Sequence, residues 1–260
     1  MTSKTDVPAP NEQTGPEPKA SLKDRIIEEL KFLIGLFAFI TVFFTLVWGH
    51  YKIPSESMQP TLEVGDHLYV SKFAYGYSKY SLPFGLSKLP VPSGKIFSRT
   101  PKRGDVVVFS HPRTDMIMIK RVIGLPGDTI NIKAGRLELN GAIIERETVS
   151  NYLYRQHTGS VVGVDVYNEI LPGQKDSHVI YEQSDSYALD DVGPFTVPEG
   201  HVFMMGDNRD NSVDSRAPSG PGMVPLERLI GRADLMMFSF KKCDKSEGLY
   251  CPPRRWALGL

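Results

Sequence analysis

The sequence has 260 residues, and its 30 Lys and Arg balance 30 Asp and Glu to a formal net charge of zero. This balance argues against a nucleic-acid-binding protein, which usually presents a net basic face. Apolar residues make up 41% and charged residues 23%, which excludes a wholly disordered chain. The 20 prolines and 23 glycines favour a β-rich, turn-rich protein, and the two cysteines are too few for a disulfide scaffold or a four-ligand zinc site.

The N-terminal region contains a candidate membrane anchor. Residues 1–31 form a polar tail that starts with a proline-rich stretch, where we expect disorder. Residues 32–51 contain no Asp, Glu, Lys or Arg and are long enough for a transmembrane helix. A cleaved signal peptide and a buried soluble helix are the alternatives, but the run ends in bulky residues and has no polar stripe.

Basic residues near this run predict its orientation. Only Lys52 follows the run closely, whereas four basic residues precede it: Lys19, Lys23, Arg25 and Lys31. The positive-inside rule then predicts a cytoplasmic N-terminus, with residues 53–260 exported. Cys243 and Cys251 would lie in an oxidising compartment, where they could form a disulfide. No third cysteine or neighbouring histidine accompanies them, so we expect no metal site.

The exported part has the pattern of a β protein. Residues 105–109, 116–124 and 201–205 are apolar or β-branched runs of strand length. The Asn140-Gly141 pair between two apolar stretches predicts a β-hairpin. Two apolar blocks, 52–144 and 198–260, are separated by a polar stretch. We therefore predict one main domain from the two blocks and an inserted second domain from residues 145–197.

Three segments carry residues suited to nucleophilic chemistry. Ser55 and Ser57 lie between prolines directly after the apolar run, where a simple juxtamembrane turn is the alternative. Lys120 lies in a predicted strand; partial burial would favour its neutral form, which could deprotonate a serine, although such a lysine can also extend to water. Residues 206–216 follow a strand and are dense in hydrogen-bonding groups, as site loops often are. A solvated polar turn would look similar.

Together, these segments resemble the bacterial type I signal peptidases, or leader peptidases. Residues 53–62 (IPSESMQPTL) resemble the serine box of that family, and residues 103–109 (RGDVVVF) its next box. Residues 120–128 (KRVIGLPGD) resemble the lysine box, and residues 206–216 (GDNRDNSVDSR) the last. The boxes occur in the order of the family, after the membrane segment. The resemblance extends from about residue 50 to about residue 240.

The resemblance implies a mainly antiparallel β fold with a smaller inserted β domain and one N-terminal transmembrane helix. It also implies a serine endopeptidase in the bacterial inner membrane, with its catalytic domain on the outer, periplasmic side. Such an enzyme removes signal peptides from exported preproteins after small residues of the Ala-x-Ala type. No metal or organic cofactor and no nucleic acid is implied, and the partners are preproteins and membrane lipid.

Residue roles follow from the matched positions. The resemblance implies that Ser57 is the nucleophile and Lys120 its general base, with the Ser57 amide and the Ser55 hydroxyl as the oxyanion hole. The implied supporting residues are Asp207, Ser212, Asp214 and Arg216. The implied lining of shallow apolar pockets for small residues before the scissile bond is Ile53, Pro54, Met58, Leu62 and Ile119.

Two features depart from the family, and two rival functions remain. The best-known members cross the membrane twice, and Glu56 replaces a residue that is often small. A self-cleaving repressor-type peptidase would share the serine and lysine, whereas a non-catalytic anchored β protein would only bind exported chains.

Five aromatic residues could place part of the exported chain in the lipid interface. They are Phe73, Tyr75, Tyr77, Tyr80 and Phe84.

Overall fold

The computed structural model describes residues 21–82, 94–239, 248–253 and 255–260. Its single α-helix within these residues, α1, runs from Leu22 to Leu46, and none of its side chains is buried. The Ser21 hydroxyl accepts a hydrogen bond from the Lys23 amide at 3.3 Å, and Asp24 lies in the first turn, where negative charge is favourable. By length and composition α1 can cross a membrane.

The helix differs from the predicted span of residues 32–51 at both ends. It starts at Leu22, so residues 22–31 of the predicted disordered tail are helical. The Lys, Arg and Glu residues within 22–31 are good helix formers. It ends at Leu46, and residues 48–52 form a β-strand. Hydropathy alone did not separate Trp48 and Tyr51 of this strand from the helix. The predicted disorder of residues 1–20 lies outside the described residues.

The largest sheet of the described chain is antiparallel. Its members are β1 Trp48–Lys52, β2 Asp66–Ser71, β3 Val106–Ser110, β4 Ile117–Gly124, β12 His201–Met205, β13 Val224–Pro225, β14 Leu229–Ser239 and β15 Trp256–Gly259. Their order in the sheet is β1-β2-β14-β3-β4-β12-β13, with β15 paired to β14. The predicted mainly antiparallel β fold is confirmed.

Strands β3 and β4 occupy the middle of the sheet and are buried on both faces. All five residues of β3 are buried, as are residues 119–124 of β4, which explains their near-continuous apolar sequences. Val107 of β3 lies opposite Lys120 of β4. One core cluster joins these strands to the segment that follows β1: Ile53, Met58, Leu62, Leu68, Val70, Val106, Val108, Ile119, Ile230, Ala233 and Met236.

The region between β4 and β12 forms two smaller sheets. The order β11-β5-β6-β7 makes the first, and β10-β9-β8 the second. Their strands are β5 Thr129–Lys133, β6 Arg136–Leu139, β7 Ala142–Ile143, β8 Arg146–Arg155, β9 Val161–Glu169, β10 His178–Glu182 and β11 Val192–Thr196. The predicted hairpin is present, because Asn140 and Gly141 take positive φ angles of 53° and 81° between β6 and β7.

One strand pairing crosses the predicted boundary of the inserted domain. Residues 145–197 were expected to form one unit, but β11 pairs with β5, which lies before that range. Only β8 to β10 form a sheet wholly inside the range. The polar composition of the range did not reveal that its last strand returns to the earlier hairpin.

The predicted disulfide involves one described cysteine. Cys251 is disulfide-bonded. Cys243, the only other cysteine in the sequence, lies outside the described residues.

Candidate active site

Ser57 and Lys120 are brought together from distant parts of the chain. Ser57 lies in the turn that follows β1, and Lys120 lies in the buried part of β4. The Lys120 Nζ donates a hydrogen bond to the Ser57 Oγ at 2.5 Å. Both side chains are buried, with 7% of Ser57 and 3% of Lys120 exposed. The pair is a hydroxyl and an amine in direct contact, as a nucleophile and its base require.

The environment of Lys120 favours its neutral form. Burial lowers the pKa of Lys120 to about 8 from its ordinary value of 10.5, because the protein interior disfavours the ammonium charge. The carboxylates of Asp214 and Asp207 act in the opposite direction, and the Arg216 guanidinium lowers the pKa further. An amine with this pKa is partly neutral near physiological pH and can accept a proton.

Hydrogen-bond donors that could hold an oxyanion lie beside Ser57. The Ser55 hydroxyl is 3.3 Å from the Ser57 Oγ, and Ser55 is exposed. The Ser57 carbonyl accepts a bond from the Asn208 amide at 3.2 Å, which fixes this peptide segment. In the described part of the chain, no acceptor is hydrogen-bonded to the Ser57 amide, so this donor can bind a substrate oxygen.

Gly206 allows the last box to approach Ser57 closely. A Cβ at this position would lie 2.3 Å from the Ser57 carbonyl oxygen and 2.3 Å from the Ser212 Oγ. Both distances are too short for any side chain, so glycine is required by space. The Ser212 hydroxyl is buried beside the Asp214 carboxylate and helps to lower the pKa of Asp214, although its geometry falls short of a regular hydrogen bond.

Asp214 and Arg216 hold this loop in place. The Arg216 guanidinium donates to both carboxylate oxygens of Asp214, at 3.0 and 2.9 Å. Asp214 also accepts a hydrogen bond from the Gly206 amide, which donates to its Oδ2 at 3.0 Å. Burial acts to raise the pKa of Asp214, but the Arg216 charge outweighs it and holds that pKa below its ordinary value.

Asp207 pairs with Arg121, the residue after Lys120. The Arg121 Nε and Nη2 donate to the two Asp207 oxygens at 2.8 and 2.7 Å. Thr61 adds a third donor at 2.5 Å. Burial acts to raise the pKa of Asp207, and Arg121 holds it below its ordinary value. Neighbouring side chains of a strand point to opposite faces, so Arg121 and Lys120 reach different partners. The Arg121–Asp207 ion pair ties β4 to the last box.

Sequence reasoning missed three residues that connect the site to the second small sheet. Arg209 donates to both oxygens of Glu169 in β9, at 2.9 and 2.5 Å, and both residues are 2% exposed. Asn208 donates through its Nδ2 to the Glu56 carbonyl and to the Tyr154 hydroxyl, each at 3.2 Å. Arg209 and Asn208 lie inside the last box, but nothing in the sequence named Glu169 as a partner.

A cleft of about 620 Å³ opens onto the dyad. Ile53, Pro54 and Ile119, which the sequence assigned to substrate pockets, lie in its lining with Ser55, Ser57 and Lys120. Met58 and Leu62 do not. Both are fully buried in the core, because the Leu62 amide bonds to the Met58 carbonyl at 2.8 Å in a helical turn that directs them inward. Their predicted contact with substrate remains a prediction.

One group of carboxylates in the described residues could bind a cation. One oxygen each of Glu182, Asp190 and Asp210 lies within 4.8 Å of the others. Burial raises the pKa of Glu182 to about 8, so protonation relieves part of the charge repulsion. The expected absence of a metal remains a prediction.

Comparisons with known proteins agree with the geometry. A family model described as signal peptidase, peptidase S26, matches residues 26–238. A signal peptidase I of Pseudomonas aeruginosa is 38% identical over 232 residues, which cover 85% of this chain and 76% of that protein. A signal peptidase I of Rickettsia conorii is 38% identical over 222 residues, covering 80% of this chain and 79% of that protein.

A solved structure also aligns with part of the chain. The crystal structure of a signal peptidase I from Enterococcus faecalis shares 25% identity and a TM-score of 0.31, over 52% of this chain and 97% of that one. The family match spans most of the chain, and the relatives are matched over more than two thirds of their length. The chain therefore belongs to the signal peptidase family, peptidase S26.

Proposed function

We propose that this protein is a signal peptidase that cleaves exported preproteins with a dyad of Ser57 and Lys120. The observation that carries the proposal is the 2.5 Å contact between the Lys120 Nζ and the Ser57 Oγ in a buried site. Burial also lowers the pKa of Lys120 to about 8, which supplies a neutral amine. Membership of the family supports the reaction type.

The first half of the reaction forms an acyl-enzyme. Neutral Lys120 takes the Ser57 proton while the Ser57 oxygen attacks the carbonyl carbon of the scissile peptide bond. The carbonyl oxygen becomes an oxyanion, which the Ser57 amide and the Ser55 hydroxyl stabilise; one such donor contributes roughly 3 kcal/mol. Protonated Lys120 then gives the proton to the leaving amine, and the mature chain departs.

The second half releases the signal peptide. Neutral Lys120 removes a proton from a water molecule, whose oxygen attacks the ester carbonyl. The same two donors stabilise the second oxyanion, and Ser57 recovers its proton from Lys120. Ser212, with its buried hydroxyl, would orient the Lys120 amine, while Asp214 and Arg216 keep the Ser212 loop in position.

The substrates we propose are preproteins with small residues before the scissile bond. Ile53 and Ile119 give the cleft an apolar wall beside Ser57, and Pro54 lies at its exposed edge. An apolar wall favours apolar side chains over charged ones. This lining supports the proposed cleavage after Ala-x-Ala sequences.

We also propose that the protein lies in the bacterial inner membrane through α1, with the β domain on the periplasmic side. The support is the apolar helix and the basic residues that precede its apolar part. Contact of the β domain with lipid is part of this proposal. Phe73 is 46% exposed, as an interfacial ring must be, whereas Tyr75 is 3% exposed and belongs to the core. Phe84 lies outside the described residues.

The dyad is tested by single substitutions in the full chain. Ser57→Ala and Lys120→Ala should each lower kcat/KM on an Ala-x-Ala peptide by at least about a thousandfold, because each removes an essential group. Lys120→Arg should be equally inactive, since a guanidinium does not lose its proton in a protein. The matched control is Lys133→Ala, which removes a lysine that is 68% exposed on β5.

The assay uses detergent-solubilised protein and follows peptide cleavage by mass spectrometry. Retained turnover by Ser57→Ala or Lys120→Ala, with the Lys133→Ala rate as reference, would reject the dyad. No cleavage by the unaltered protein of any peptide or preprotein would favour a protein that only binds exported chains. Cleavage confined to its own chain would favour a self-cleaving peptidase.

A further inference from the structure

Glu56 lies between the two active-site serines and is held by two other elements. The His157 amide donates to the Glu56 Oε1 at 2.7 Å, and the Asn211 Nδ2 donates to the Oε2 at 3.3 Å. His157 lies at the tip of the β8–β9 hairpin, and Asn211 ends the 3-10 turn Arg209–Asn211. Glu56 is half-buried, and these two hydrogen bonds fix the position of its carboxylate in the cleft.

The charge of Glu56 is not neutralised by an ion pair within the described residues. Both hydrogen-bond donors to its carboxylate are uncharged groups, a backbone amide and a side-chain amide. A carboxylate that keeps its charge in a partly closed cleft acts on other charges there more strongly than one in bulk water. A basic substrate residue close to Glu56 therefore gains binding energy, and an acidic one loses it.

The lining of the cleft has an apolar part and a polar part. The apolar part is formed by β3, by β4 with the residue before it, and by the segment after β1. Its residues include Pro54, Val108, Met116, Ile117, Met118 and Ile119. The polar part contains Glu56, His157, Thr158 and Asn211, and Lys52 adds a basic residue to the same lining. Ser57 and Lys120 also line the cleft, and both parts are built from residues around this pair.

Two regions of different polarity in one cleft suit two different segments of a substrate. An extended substrate passes Ser57 with its small, apolar residues on one side and the start of the mature chain on the other. The apolar part suits the residues before the bond, as argued above. The polar part, which contains Glu56, is then left for the residues that follow the bond.

We propose that Glu56 is a specificity-determining residue that selects the first residues of the mature chain by charge. It favours a basic residue directly after the scissile bond and disfavours an acidic one. This inference rests on the proposed dyad, because Ser57 fixes the point from which the two sides are counted. The contact with the hairpin uses the backbone of His157, so the position of Glu56 does not depend on the histidine side chain.

The test compares three peptides that share an Ala-x-Ala sequence and differ only in the residue after the bond: Lys, Gln or Glu. The unaltered full chain should show a kcat/KM ratio of Lys to Glu peptide of about tenfold at low salt, from the Coulomb energy of partly solvated charges. The ratio should fall toward one as added salt screens the interaction. The Gln peptide should fall between the two.

Three variants separate charge from other effects. Glu56→Gln keeps an oxygen for the His157 amide but removes the charge, so the ratio should fall about tenfold, to near one. Glu56→Lys should invert the preference. Glu147→Gln removes a carboxylate from an exposed position on β8 outside the cleft lining and should leave the ratio unchanged. A ratio within one variant is independent of losses in total activity.

Three outcomes would overturn the inference. One is a ratio that is the same in Glu56→Gln as in the unaltered protein. Another is a ratio that changes equally in Glu147→Gln, which would indicate long-range field effects. The third is loss of all cleavage in folded Glu56→Gln, which would assign Glu56 to the support of the dyad. Failure of the dyad proposal looks different, because Ser57→Ala would then remain active.

Discussion

At the scale of single residues, Lys120 shows how one side chain acquires a new chemistry from its surroundings. A lysine in water is charged and cannot act as a base near neutral pH. In β4 the Lys120 amine is buried, and this burial lowers its pKa to about 8. The Asp214 carboxylate, which would restore the charge, is neutralised by Arg216 at 2.9 Å. The same ion pair that braces the loop thus protects the neutral amine.

The pKa of Lys120 predicts how the rate depends on pH. Only the neutral amine accepts the Ser57 proton, so the single-turnover rate should rise with pH and level off above an apparent pKa of about 8. An unperturbed lysine would shift this midpoint to ~10.4. The measurement is a series of single-turnover rates on the Ala-x-Ala peptide between acidic and alkaline pH. A flat profile would contradict a lysine base.

Gly206 supplies a second prediction at this scale. In Gly206→Ala the new Cβ would displace the Ser57 carbonyl or the Ser212 side chain, each 2.3 Å away. We expect a loss of stability of ~1–3 kcal/mol, as for other overpacked sites. Displacement of the nucleophile by about 1 Å should lower kcat at least about a hundredfold. Thermal unfolding and peptide cleavage measure the two effects.

A second glycine provides the control for this change. Gly163 in β9 has a normal φ, and a Cβ there would meet only the Leu153 side chain at 3.4 Å. Gly163→Ala should therefore leave kcat near that of the unaltered protein. If Gly206→Ala retained full kcat, the close approach of the loop to Ser57 would not matter for the reaction.

The contacts of the candidate site were predictable only for residues that belong to a local motif. Ser57 and Lys120 stand in recognisable boxes, and the structure places them in contact. Met58 and Leu62 stand in the same box as Ser57, but a helical turn directs both into the core. Glu169 belongs to no box, and its contact with Arg209 depends on how β9 packs against the loop. Such long-range pairing is not visible in one sequence.

At the scale of elements, the Arg209–Glu169 ion pair joins the second small sheet to the catalytic loop. The Glu169 carboxylate and the guanidinium are both 2% exposed and share two hydrogen bonds. Burial acts to raise the pKa of Glu169, but Arg209 holds it well below its ordinary value. A buried pair of this kind is sensitive to the loss of one partner, because the other charge is left without compensation.

Removal of that charge gives an element-scale prediction. Glu169→Gln should lower the free energy of unfolding by ~3–5 kcal/mol, since the Arg209 charge stays buried. Glu138→Gln is the control, because its ion pair with Lys133 is largely exposed and should contribute less than ~1 kcal/mol. Chemical denaturation of both variants measures the difference. Equal stability of the two variants would contradict the structural importance of the buried pair.

The elements themselves were predicted unevenly. The apolar runs of β3, β4 and β12 and the turn at Asn140-Gly141 matched strands and a hairpin, since each is set by local sequence. The end of α1 was misplaced because Trp48 and Tyr51 suit both a membrane interface and a strand. The pairing of β11 with β5 was not predictable, because it joins residues far apart in the chain.

At the scale of the whole molecule, the chain has an apolar helix and a β domain that uses the residues directly after that helix. The Tyr77 hydroxyl donates to the Leu46 carbonyl at 2.6 Å, and the Lys72 amide donates to the Val47 carbonyl at 3.1 Å. All five residues of β1 then pair with β2. The sheet therefore includes chain that hydropathy assigns to the membrane.

This arrangement predicts where the chain can be shortened. A protein of residues 46–260 keeps β1 and should fold, cleave the water-soluble Ala-x-Ala peptide and cosediment with anionic lipid vesicles through exposed rings such as Phe73 and Trp256. A protein of residues 53–260 loses β1. It also loses Tyr51, which packs against the core cluster of Ile53 and Met58.

The shorter protein should therefore be less stable by about 3 kcal/mol, from the burial of one aromatic side chain. Its kcat should fall as well, because Ile53 and Ser55 directly follow the deleted strand and would lose their fixed positions. Thermal unfolding and peptide cleavage of the two proteins, measured side by side, check this expectation. Equal stability and equal kcat would show that β1 is dispensable. Absence of vesicle binding by residues 46–260 at every lipid concentration would leave α1 as the only lipid contact.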